Sequence, residues 1–144
     1  MTLDQLNPDV VLAKILDKNV TVQTSVAQSY PIRCYADGQM PNKDLGDEFL
    51  SVIWNGAARS RTRPLGCFIG NLALTVYCKA LNNMTANRPR IRQILRQCQF
   101  KAADSCKDGF HFSIDPSQVI TPTTVNTRTG YSVTTINVEW RTTK

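Results

Sequence analysis

Residues 68–80 place Leu72, Leu74, Val76 and Cys78 at every second position, which is the period of a β-strand with one buried face. A strand this long and this apolar on one side needs neighbours along both edges and a layer packed against its inner face. The sequence offers both. Phe49-Leu50-Ser51-Val52-Ile53-Trp54 reads as a second strong strand, and Val20, Val22, Thr24 and Val26 alternate as a half-buried one. Ile32 and Cys34 open a short strand after Pro31. Gly109-Phe110-His111-Phe112-Ser113-Ile114 forms another, ended by Asp115-Pro116. Residues 118–127 and 131–143, rich in threonine and valine, read as one long hairpin turned at Arg128-Thr129-Gly130.

Two helices complete the layer. Asn7-Pro8 reads as a cap and first helical position for residues 8–18, with Val11, Leu12, Ile15 and Leu16 as the apolar side. Asn87 is expected to cap a second helix whose inner stripe is Ile91, Ile94, Leu95 and Cys98, with Arg88, Arg92 and Arg96 outside. The expected fold is α+β over residues 1–144 as one domain: a mainly antiparallel sheet with a long C-terminal hairpin and two helices packed on one face.

Charge narrows the function. The 144 residues carry a net charge of +6, and no acidic residue falls between Phe49 and Ala103, where nine basic ones do. Such asymmetry calls for an acidic partner, either nucleic acid or an acidic protein face. Arg59, Arg61 and Arg63 sit together in residues 55–66, which read as an exposed loop without apolar anchors. No apolar run is long enough to span a bilayer, and the N-terminus has no signal-peptide pattern, so a non-secreted protein is expected.

Catalytic patterns are sparse. There is no phosphate-binding glycine loop and no Gly-x-Ser-x-Gly elbow. The cysteines at 34, 67, 78, 98 and 106 include no Cys-x-x-Cys pair, and His111 is the sole histidine. The expectation is reduced thiols, no metal and no cofactor. His111 alternates with Phe110 and Phe112 and so belongs on the opposite, solvent side of its strand. Asp44, Asp47 and Glu48 cluster before the strand at Phe49, lack the spacing of a calcium loop, and read as a solvated loop edge.

The layout resembles the tail-terminator (tail-completion) proteins of long-tailed bacteriophages. Three passages carry the resemblance: the leading helix and strand of residues 8–26, the strand-to-helix passage from Leu72 through Lys79 to Ile91-Arg92-Gln93-Ile94-Leu95, and the closing strand Gly130-Tyr131-Ser132-Val133-Thr134-Thr135-Ile136-Asn137-Val138-Glu139-Trp140. The resemblance implies a non-enzymatic virion protein, assembled in the host cytoplasm. Its copies would form a ring, usually hexameric, that caps the tail tube, stops tube polymerisation and joins the tail to the head-side neck. The implied partners are further copies of itself, the tail-tube protein and a head-side connector. DNA would pass through the ring without specific binding. Arg59, Arg61, Arg63 and Arg128 are then the expected partner-contact residues, facing protein and not the channel. The competing expectations are a connector-stopper protein of the same neck, a small basic nucleic-acid-binding module, and a cysteine enzyme.

Overall fold

The structure, a computed structural model, describes residues 7–23, 29–41, 48–59, 68–79, 84–102, 106–107, 109–115, 124–126 and 131–142. The elements follow as α1 (Pro8–Leu16), β1 (Thr21–Gln23), β2 (Ser29–Pro31), β3 (Arg33–Tyr35), β4 (Glu48–Arg59), β5 (Phe68–Lys79), α2 (Met84–Ala102), β6 (Cys106–Lys107), β7 (Phe110–Ser113), β8 (Thr124–Asn126) and β9 (Tyr131–Thr142). The fold is α+β, as the periodicity predicts.

Three twelve-residue strands dominate. β4, β5 and β9 lie side by side, antiparallel, in a sheet ordered β3-β4-β5-β9-β7-β6. The alternation in β5 is what seats it in the middle: Leu72, Leu74, Val76 and Cys78 are all fully buried. β9 answers from the next strand with Ile136, Val138 and Trp140, in register with Leu74, Leu72 and Gly70. Of the hairpin arm expected over residues 118–127, β8 is the part described; it pairs with β9 at Tyr131–Val133, and β7 takes the same edge of β9 further along, from Glu139 to Thr142. The rest of that arm, like Thr24 and Val26 of the strand expected after α1, lies outside the described residues.

Two pairings at the strand margins are ones that periodicity does not give. β3 joins β4 in parallel, Arg33 opposite Phe49, in a sheet otherwise antiparallel. β1 and β2 form a separate two-stranded ribbon in which Pro31 pairs with Thr21. Proline is tolerated there because the ribbon is an edge.

α1 ends at Leu16, two residues before the expected limit, and Lys18 takes a left-handed backbone with φ 63°. Its amide donates to the Ile32 carbonyl at 2.9 Å, tying the helix exit to the chain between β2 and β3. Asn7 makes no side-chain cap. Asp9, in the first turn, is instead 5% exposed and accepts from Trp54 Nε1 at 3.1 Å and from the Asp37 amide at 3.2 Å. α2 begins at Met84, so Asn87 lies inside it and is not its cap. The stripe Ile91, Ile94, Leu95 and Cys98 is buried as expected.

Both helices cover the same face. Asp9 of α1 reaches Trp54 and Arg90 of α2 reaches Glu48, and Glu48, Leu50, Val52 and Trp54 share one side of β4. The β1–β2 ribbon comes to that side too, through the Tyr30 hydroxyl, which donates to Glu48 Oε2.

Candidate interaction surfaces

A buried ion pair locks the helix layer to the sheet. The Glu48 side chain is fully buried, and its Oε1 accepts from Arg90 Nη1 at 2.6 Å while Oε2 accepts from Tyr30. Burial works against the Arg90 charge. The hydrogen bond to Cys78 and the Glu48 carboxylate outweigh it and raise the guanidinium pKa. The three partners come from β4, α2 and β2, so the pair fixes the positions of all three relative to one another. This corrects the solvated loop edge expected for Glu48: it is the first residue of β4 and its side chain is buried. The available signals were its place two residues before Leu50 on the inner face and that of Arg90 one turn before Ile94 on the buried stripe.

The opposite face of the sheet has no helix over it among the described residues. Phe49, Ser51 and Ile53 of β4 stand there beside Tyr77, Thr75 and Ala73 of β5, and Val133 and Thr135 of β9 continue the rows. An aromatic group gathers at one end. Phe49 stacks on Tyr77 at 4.5 Å, and Tyr131 and Tyr35 meet Phe49 edge-on at 5.4 and 6.2 Å. Phe49, packed among these rings, is only 3% exposed. Such offset and edge-on pairs add to the stabilisation from burial alone. Toward the other end Ile53 and Ile69 are each 39% exposed, and Thr75 and Thr135 share a hydrogen bond of 3.1 Å.

β4 also has an open edge. β3 borders it only from Phe49 to Ser51, and beyond that point no strand lies alongside among the described residues. The register slips by one residue between Trp54 and Ala57, a bulge that Asn55-Gly56 accommodates. The strand then continues through Arg59, which pairs with Phe68. This corrects the loop expected over residues 55–66: its first five residues are strand, and Arg59 is a strand terminus. The glycine inside an apolar run was the available signal. Arg61, Arg63 and Arg128 lie outside the described residues.

A groove of about 460 Å³ runs between α1 and β3, lined in part by Val10, Lys14, Asp17, Arg33, Cys34 and Tyr35. The Asp17 carboxylate is already engaged, accepting from Arg33 Nε at 2.8 Å and from the Cys34 amide at 3.0 Å. The Arg33 guanidinium lies 5.6 Å from the centre of the Tyr35 ring.

The remaining residues singled out in the sequence fall as follows. His111 is half-buried, on the open side of β7, between buried Phe110 and Phe112. Among the described residues no group of His, Cys, Asp and Glu could hold a metal ion, and no helix is long and apolar enough to cross a membrane. Cys34, Cys78 and Cys98 are buried free thiols. Burial pushes the Cys98 thiol up to about 12 and raises Cys34 well above its ordinary value, with Cys98 and Asp17 adding to the second shift. Neither is a thiolate at neutral pH.

Two consequences are measurable. Cys34 and Cys98 should resist alkylation in the native protein and react fully once it is unfolded; labelling at the native rate of a free thiol would contradict their burial. The folded chain also keeps protons on these thiols that the unfolded chain releases. Their contribution to stability is therefore intact below the ordinary thiol pKa of 9.0 and is lost as the pH rises toward 12. Denaturant midpoints measured across that range should fall.

No protein-family model matches the chain, and comparison with curated proteins finds no match.

Proposed function

We propose that this protein is a structural assembly protein of a virion: a ring-forming tail terminator that caps the tail tube and joins the tail to the head-side neck. The observation that supports the reading is the division of the sheet into two unlike faces. One carries both helices, and the other carries tyrosine, phenylalanine, isoleucine, valine and threonine with no helix of the described residues over them.

Three adjacent strands of twelve residues, about 40 Å long and about 4.8 Å apart, outline roughly 600 Å², within which Phe49, Ser51 and Thr75 are already buried and Ile53, Ile69 and Thr135 are exposed. A stable protein–protein contact takes about 800 Å² per partner. A face of that size, rich in tyrosine and isoleucine, suits contact with protein. Other copies and the tail-tube protein are the partners the ring reading supplies. The edge of β4 leading to Arg59, where the Trp54 amide already donates to Asp37 Oδ2 at 3.3 Å, adds further backbone donors and acceptors beside it. Arg59, Arg61, Arg63 and Arg128 would serve as contacts at the margin, where arginine pairs well with carboxylates. DNA would pass through the assembled ring without being read.

The test is the mass of the purified protein in solution. A closed assembly of several 16.1 kDa chains, formed alone or on addition of tail-tube protein, is the expected result.

A further inference from the structure

We propose that the outward side of α2 binds the phosphate backbone of a nucleic-acid duplex without reading its sequence, through Arg92 and Arg96, with Phe100 packing beside them. This inference does not rest on ring formation, since a single chain carries the whole surface.

The three residues recur at four-residue steps, so they stand above one another along about 12 Å of helix. All three are exposed, and Phe100 is 82% exposed, the most of any large apolar side chain described. Arg92 and Arg96 make no ion pair with the described residues. Arg90, by contrast, turns toward the core and is consumed by Glu48.

A solvated helix face ordinarily mixes signs, with acidic and basic residues paired one turn apart. α2 has no acidic residue in its nineteen positions. Two arginines one turn apart repel and destabilise the free helix, and an exposed phenylalanine beside them gains nothing from water. A polyanion relieves the first and a surface of sugars and base edges the second.

One observation favours nucleic acid over an acidic protein face. The excess charge is not local: residues 49–103 hold nine basic and no acidic residues, which spreads a positive field suited to a polyanion. Both stripe cations are arginines, whose planar fork suits phosphate as it does carboxylate, so an acidic polypeptide belongs in the test.

The experiment is fluorescence anisotropy of the whole protein with a labelled duplex of about twenty base pairs, repeated between about 50 and about 200 mM salt. Each phosphate neutralised contributes about −0.9 to the slope of log affinity against log salt. The Arg92→Ala/Arg96→Ala chain should therefore lose close to two units of slope and about a hundredfold in affinity at the lower salt. Phe100→Ala should weaken binding several-fold and leave the slope unchanged, which separates its packing from the charge. Circular dichroism confirms that each variant is folded, as these exposed positions allow. The proposal is overturned if the double variant binds like the parent, because the contact would then lie elsewhere, for instance at Arg59, Arg61 and Arg63. It is equally overturned if the parent ignores the duplex at low salt and binds polyglutamate instead.

Discussion

Replacing Arg90 by alanine should lower the unfolding free energy by about 3–5 kcal/mol, the range for removing one partner of a buried ion pair. The reason lies at Glu48. Its side chain has no exposure to water, and it is left with Tyr30 as its remaining named donor once Arg90 is gone. The Arg90 side chain itself is 30% exposed, so the loss should fall toward the lower end. Most of it is the desolvation of a stranded carboxylate and not the value of the pair. Hence the double replacement Glu48→Met/Arg90→Met should recover much of the stability, because apolar side chains of similar volume suit the site. Urea denaturation of the single and double variants measures both quantities. A single variant within about 0.5 kcal/mol of the parent, the range for an ordinary surface change, would show that the pair does not bear on the fold.

Charging the open sheet face should abolish assembly while leaving the fold intact. Ile53 and Thr135 are exposed, on the two strands that flank β5. Glutamate at both positions costs the isolated chain about 1 kcal/mol in strand preference and about 1 kcal/mol more for the lost Thr75–Thr135 hydrogen bond, which leaves the fold intact. In a dry contact the same carboxylates lose water without gaining partners, at several kcal/mol, and each 1.4 kcal/mol is about tenfold in affinity. The sign of the change is informative. The two carboxylates lower the net charge from +6 and so reduce repulsion between copies. Loss of assembly would then be assigned to the face and not to overall charge. Light scattering of the variant should give a single chain with an unchanged far-ultraviolet spectrum. Undiminished assembly would move the contact to another surface.

The core was legible because it depends on period alone. Alternation in β5 and β9, and the three-and-four spacing of Ile91, Ile94, Leu95 and Cys98, give the buried faces without any knowledge of pairing. What the sequence hid depends on register. Phe49, Tyr77, Tyr131 and Tyr35 come from four separate strands, and the pairings Phe49 with Tyr77, Lys79 with Tyr131 and Tyr35 with Ser51 bring their rings together. The parallel partnership of β3 with β4 was equally invisible, since three residues carry no directional signal. The end of β4 was misread for a different reason. Asn55-Gly56 has the composition of a turn, yet the extra residue it supplies is absorbed as a bulge, and the strand runs on to Arg59. The start of α2 was placed late because Asn87 has the character of a cap; the helix runs through it from Met84.

Light scattering of the unmodified protein at low and at moderate salt is the most direct measurement. Assembly through the open sheet face predicts a ring-sized species, several times 16.1 kDa, formed alone or on addition of tail-tube protein. It should persist as salt rises, because burial of apolar surface is not screened as surface charge is. A 16.1 kDa chain that remains single at both salts, and in the presence of tail-tube protein, would contradict the assembly function.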